Sequence, residues 1–198
     1  GTFEIDIKPN EDKTITFVCA LDEDLKINKI TDIDGEQVIK DELTRIKTEI
    51  KYTKLLIPNR GEENKKVNEM EIERYNELVK KFVIASDNFI VYRKERNLHT
   101  TVAGYPWFLD WGRDSYISFE GLLLITKRYD IAKEVLLTFA EKVKDGIVPN
   151  GFSEYTGDAL YNSVDASLLF INAVYKYLQY TNEYDFVKQK LYKTMKVI

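Results

Sequence analysis

From residue 113 onward the chain carries four apolar stripes at helical spacing, joined by short, long and short connections, and this arrangement limits the fold more than any other feature. The stripes predict helices at about 113–127, 131–144, 163–180 and 184–197. In the second, Ile131, Val135, Leu136, Phe139 and Val143 fall on one face; the third carries Ala166, Leu169, Phe170, Ala173, Val174 and Tyr177. Gly146 is expected to end the second helix, with Pro149 beyond it. The joints at Lys127–Asp130 and after Tyr180 are short, whereas Asp145–Asn162 is long and holds Pro149, Gly151 and Gly157. Short joints force antiparallel helix pairs. The long connections then fall at one end of the layer, and the segments preceding the first and third helices share that end.

Those two segments hold the most distinctive chemistry. The run AGYPWFLDWGRDSYI, Ala103 to Ile117, contains the chain's only two tryptophans, Trp107 and Trp111, with Asp110, Arg113 and Asp114 among them. The run YNSVDASLLF, Tyr161 to Phe170, supplies Tyr161, Asn162 and Asp165. A flat aromatic ring covers the apolar C–H face of a pyranose, and fixed charged groups hydrogen-bond its hydroxyls. Plainer readings compete. The tryptophans could be core residues with Tyr105, Phe108 and Tyr116. Arg113–Asp114 could be a helix-start pair favoured by the helix dipole. Asn162 and Asp165 have nearly the spacing of a capping box. His99 reads as a surface or satisfied histidine, and Asp22–Asp24 as a solvated turn.

The first half is organised differently. Phe3–Lys8 and Lys13–Leu21 read as strands around a turn at Pro9–Glu11, the end of a β-domain. Glu36–Leu56 is charged and helical, ending at Pro58, and Asn59–Asn68 is a polar loop. Val67–Ala85 again has helical spacing, with Ile72, Tyr75, Val79, Phe82 and Val83 on one face; Phe89–Tyr92 suits a short strand. The expected division is 1–35, the end of a β-domain; 36–90, a helical linker region; and 91–198, the first part of a helical domain.

Composition removes several function classes. A net charge of -4 leaves no basic surplus for nucleic acid. No apolar run approaches the roughly 18 residues of a membrane span, and the start lacks a signal-peptide plan, so a cytoplasmic protein is expected. One cysteine, Cys19, and one histidine cannot form an internal disulfide or a Cys/His zinc site. No metal or other cofactor is expected.

Taken in order, the motifs resemble the C-terminal domain of glycogen debranching enzymes, the amylo-α-1,6-glucosidase family of glycoside hydrolases. AGYPWFLDWGRDSYISFEGLLLITKRYDIAKEVLLTFA resembles the family's W-x-x-W-G-R-D-[TS]-[FY]-I stretch and the helices after it. GIVPNGFSE resembles its G-[IL]-[IV]-P-N element, YNSVDASLLFINAVYKY its Y-N-x-x-D-A stretch, and FEIDIKPNEDKTITFVCAL the end of its β-domain. The chain departs at Leu169, where a Trp is expected, and at Tyr116, where Phe is more usual.

The resemblance implies a mainly α fold, a partial (α/α)6 toroid preceded by the last strands of a β-domain. It also implies hydrolysis of α-1,6-linked glucose stubs of glycogen limit dextrin. Arg113 and Asp114 would then hold glucose hydroxyls in the subsite beside the cleaved bond, Trp107 and Trp111 would wall it, and Tyr161, Asn162 and Asp165 would line the facing side. An inverting glycosidase needs an acid and a base roughly 6.5–9.5 Å apart. The family's T-W-M-D and G-L-x-E elements that supply them do not occur here, so no catalytic residue is assigned and the chain reads as an inactive piece of a larger enzyme. Another (α/α)6 α-glucosidase, of glucoamylase or trehalase type, and a non-catalytic glucan-binding module are the alternatives. The expected partner is glycogen or another α-glucan. Uncovered helix flanks, with Leu168, Phe170 and Val174, would favour self-association.

Overall fold

The computed structural model describes residues 6–17, 33–54, 69–93, 96–105, 108–153 and 156–198. The chain divides into two compact units, Gly1–Thr48 and Glu49–Ile198. In the first, Asp6–Lys8 and Lys13–Phe17 form no strand; the rest of both expected strands, with Cys19 and Asp22–Asp24, lies outside the described residues. The turn between them is present: Glu11 N–H donates to the Lys8 carbonyl at 3.0 Å, and Asn10 takes a left-handed φ of 65°. Alternation marks a segment able to join a sheet, but a strand needs a neighbour to exchange hydrogen bonds. Helix α1 (Gly35–Lys54) begins at Asp34, whose Oδ1 accepts from the N–H groups of Glu36 and Gln37 at 3.0 and 3.2 Å.

The second unit holds the remaining elements. Helix α2 (Glu69–Asp87) leads into an antiparallel hairpin, β1 (Ile90–Arg93) with β2 (Leu98–Thr101), in the register Ile90 to Thr101 and Arg93 to Leu98. Of the face expected on α2, Val83 is buried, but Ile72, Tyr75 and Phe82 are exposed. The 3.6-residue period names the side that would pack, not a partner for it. The loop Asn59–Asn68 lies outside the described residues.

Helix α3 (Gly112–Phe119) continues into a π turn, Glu120–Leu124, where the Ile125 N–H reaches back five residues to the Glu120 carbonyl at 2.9 Å. Lys127, at φ 58°, ends the turn, and α4 (Tyr129–Ala140) returns antiparallel. It stops short of Gly146, contrary to expectation. Asp145 and Gly146, both at positive φ, instead form a two-residue turn closed by paired bonds between Lys144 and Ile147 at 3.1 and 2.9 Å. An Asp-Gly pair supplies the two left-handed positions such a turn needs.

The long connection carries a small ladder, β3 (Gly151–Phe152) with β4 (Ala159–Leu160). Helix α5 (Asp165–Thr181) follows, stopped by Asn182 at φ 57°. The chain ends in α6 (Tyr184–Phe186), a second π turn over Val187–Leu191, and α7 (Tyr192–Met195).

One core runs through this unit. Phe119, Leu123 and Leu124 from α3 and its extension meet Val135, Leu136 and Phe139 of α4, Phe170, Val174 and Tyr177 of α5, and Leu191. Both predicted stripes are buried along their middles, with Ile131, Val143 and Leu169 at the margins. Phe170 and Val174, expected on an uncovered flank, are core residues; the exposed apolar groups of α5 are Leu168 and Tyr175. The angular spread of a stripe does not say where its centre lies. Tyr116 packs edge-on against Phe170 and tilted against Phe139, at 5.7 and 5.2 Å between ring centres. Its buried hydroxyl has no hydrogen-bond partner.

Candidate substrate-binding site

The first turns of α3 and α5 lie side by side. Arg113 on α3 donates from Nε to Oδ2 of Asp165 on α5 at 2.5 Å. Loop parity expects the two motif runs at one end of the layer, and this bond joins them there. Both side chains remain open to solvent, with relative exposures of 55% and 41%. The bond to Arg113 holds the Asp165 carboxyl below its ordinary range, helped by the backbone N–H groups at the start of α5; the same bond and the nearby Asp114 charge raise Arg113. Asp165 is therefore ionised at neutral pH. It can accept hydrogen bonds from hydroxyls but has no proton to donate as an acid.

Asp114 sits one residue along α3, exposed in its first turn, where a carboxylate suits the positive end of the helix. Arg113 does not close on Asp114 as a local pair but reaches across to the other helix. Asn162 is exposed and lies two residues before Val164, the residue at the cap position of α5, which provides no side-chain cap; the capping-box alternative is not realised. Ser163 donates to Asp165 Oδ1 instead. Tyr161 is exposed, its hydroxyl given to the Lys142 carbonyl at 2.5 Å. Trp111 is half-buried beside the Gly151 backbone, whereas Trp107 lies outside the described residues. The exposed rings of Tyr105 and Phe108 share that loop rather than a core.

The long connection fixes this end. Gly112 N–H donates to the Asn150 carbonyl at 2.7 Å, and Asn150 Oδ1 accepts from the Arg113 N–H at 3.4 Å. Asn150 thus caps α3 from a distant part of the chain, doing what Trp111 cannot. A Cβ on Gly112 would lie 2.8 Å from the Pro149 carbonyl oxygen, so only glycine permits this approach. Ser167 Oγ accepts from the Val148 N–H at 2.9 Å and binds the same connection to α5. The G-I-V-P-N element carries this role, though its helix-capping asparagine has no local sequence signal.

Two further residues of the motif-bearing half, outside the expected set, are engaged within the protein. Asp110 is 2% exposed and receives Arg93 Nη2 at 2.8 Å. His99 is satisfied, with its backbone N–H and ring Nδ1 both on Glu134 Oε2, at 2.6 and 2.7 Å. Among the described residues, no cluster of His, Cys, Asp and Glu could hold a metal, and no helix is long and apolar enough to cross a membrane.

A profile of the amylo-alpha-1,6-glucosidase family matches residues 84–198, more than half the chain. The glycogen debranching enzyme of Saccharomyces cerevisiae is 39% identical over 87 residues, which cover 41% of this chain and 6% of that enzyme.

Proposed function

The chain belongs to the amylo-alpha-1,6-glucosidase family, and from that premise we propose that it forms part of the glucose subsite of an enzyme that hydrolyses α-1,6-linked glucose stubs of glycogen limit dextrin. The observation that carries this reading is the Arg113–Asp165 bond. It unites the two motif runs at one solvent-open end of the helices. Arg113, Asp114 and Asp165 hold sugar hydroxyls, Trp111 and Trp107 offer ring faces, and Tyr161 and Asn162 complete the rim. In this reading the helices are consecutive members of an (α/α)6 toroid, α3 and α5 inner, α4 and the α6–α7 segment outer. Residues 1–35 close a preceding β-domain, residues 36–90 link it to the toroid and the enzyme works in the cytoplasm.

The division of labour follows from protonation. Cleavage needs a protonated acid and an ionised base on opposite sides of the bond. Asp165 is held ionised by Arg113, so it contributes grip rather than proton transfer. Grip without proton transfer gives affinity, not rate. The purified 198-residue chain should bind maltose weakly and release no glucose from limit dextrin. The full-length enzyme should release it, and Asp114→Ala should reduce that release by at least about a hundredfold, since a charged hydrogen bond to an oriented hydroxyl is lost. Wild-type kinetics in Asp114→Ala would show that this carboxylate serves the helix start alone.

A further inference from the structure

We propose that Arg93 is a positioning residue for the sugar-facing loop: from the β1–β2 hairpin it holds Asp110 inside the protein and thereby fixes the neighbouring Trp111. The function of that placement rests on the reading of Trp111 as a wall of the glucose subsite.

The hairpin is a fixed base. His99 on β2 is bonded twice to Glu134 of α4. The ladder extends past β2 through the Val102 N–H to the Phe89 carbonyl at 2.9 Å. The chain then leaves as a closed loop, with Ala103 N–H on the Leu109 carbonyl at 3.0 Å and Phe108 N–H on the Gly104 carbonyl at 2.8 Å. It returns to regular structure at Trp111, whose backbone bridges Gly151, and at Gly112, bonded to Asn150. Asp110 lies between these two anchorages. Its carboxylate is almost entirely shielded, while the Arg93 guanidinium that meets it at 2.8 Å is about one-third open to water.

This asymmetry decides which partner controls the other. A shielded carboxylate needs its cation, and removing one partner of such a pair leaves an uncompensated charge. Without Arg93, Asp110 gains by moving toward water, and in this proposal its own backbone turns with it. Trp111 is the next residue, so its ring moves with that rotation. Arg93 itself never has to touch the sugar.

The test uses the fact that Trp107 and Trp111 are the chain's only tryptophans. In a Trp107→Phe background, fluorescence reports on Trp111 alone. Acrylamide quenching measures its accessibility without any sugar, and maltose titration of the chain with both tryptophans measures binding. Arg93→Ala should raise the quenching constant at least about twofold and weaken maltose at least about tenfold, with helical circular dichroism retained. Arg93→Met keeps the packed stem and removes only the charge. It should do the same, and it decides the matter if the alanine variant fails to fold. Arg93→Lys, which restores a cation, should recover most of both signals. Unchanged quenching in folded Arg93→Met would overturn the proposal, as would a fall in melting temperature with Trp111 accessibility and maltose affinity intact. Raised quenching in a chain whose wild type ignores maltose would keep the positioning role and sink the sugar-site reading instead.

Discussion

Helices α3 and α5 are joined by two ion pairs, and the contrast between them separates grip from scaffold. At the N-terminal end, Arg113 meets Asp165 with both side chains open to water. Further along, Glu120 in the π turn binds Lys176 of α5 and also accepts the Tyr180 hydroxyl at 2.9 Å. Both Glu120 and Lys176 are one-third exposed. Both carboxyls are pulled below their ordinary range by their cations, Glu120 with help from Tyr180. The ionisation is alike; the exposure is not. Glu120 divides its two oxygens between an ammonium and a phenol, and Asp165 divides its own between Arg113 and the Ser163 hydroxyl, but the Arg113–Asp165 pair stands more open to water. A ligand can reach the pair at that end more readily than the pair at the other.

The largest expected effect sits at the open end. Gly112→Ala would drive a methyl group to 2.8 Å from the Pro149 carbonyl oxygen. Forcing the backbone apart there should cost about 1–3 kcal/mol and abolish the maltose response, while leaving the Glu120 end intact. Chemical denaturation and a fluorescence titration measure the two halves of that statement. Full affinity in the Gly112→Ala variant would show that the approach of α3 to the long connection does not shape the site.

Asp165→Ala tests the comparison most directly. Maltose affinity should fall at least about tenfold, as expected for loss of a charge-assisted contact, with the melting temperature barely moved because the pair is exposed. Acid adds a check. A carboxyl with a lowered folded value contributes only while ionised. The Arg113–Asp165 bond is therefore complete above the ordinary carboxylate range and lost as pH falls below it. Maltose affinity should be flat through neutral pH and decline in strong acid. Glu120→Gln should behave in the opposite way, costing about 0.5–1 kcal/mol of stability after solvent screening and leaving affinity unchanged. Equal affinity losses in the two variants would erase the distinction.

The smallest effect concerns Tyr116, between the two pairs. Burial pushes its hydroxyl well above the ordinary tyrosine value, and that hydroxyl has no partner. Tyr116→Phe removes an unsatisfied polar group and should stabilise the protein by up to about 1 kcal/mol. The sign of the alkaline response follows. The raised folded value means stability is present below the unfolded tyrosine value of about 10 and is lost above it. Thermal melts at neutral and alkaline pH should show that the Tyr116→Phe substitution removes part of the alkaline loss.

The helical unit was legible because buried stripes at 3.6-residue spacing leave a repeated mark, and loop length then fixes direction. Val135, Leu136, Phe139, Phe170 and Tyr177 are buried as their spacing implies. That the starts of α3 and α5 share one end was legible too, since it needs only the parity of the connections; the bond of Arg113 to Asp165 rather than to the neighbouring Asp114 was not. What depends on a distant partner left no local mark. The Asn150 cap on α3 belongs to a segment far along the chain. The Arg93–Asp110 pair joins a hairpin to a loop. The exposed α2 face around Phe82 and the segment Lys13–Phe17, which forms no strand, show the same gap from the other side, a pattern without a partner among the described residues.

The π turn at Glu120–Leu124 sets the phase of the whole arrangement. A π turn accommodates one more residue than an α turn, and one residue on a helix is about 100° of rotation. Tyr116 and Phe119 before the turn and Leu123 and Leu124 within it are all buried, while Arg113 and Asp114 at the start of the helix are exposed. The wide turn takes up the extra residue locally, so the buried face runs on through it. Gly121 lies in that turn with open space where its side chain would stand. Deleting it would leave an ordinary α turn and both ends would keep their facing, whereas in an unbroken α-helix the same extra residue would swing everything after it by about 100°. A helix of this kind can gain or lose one residue at its middle without turning its binding end away from its partner.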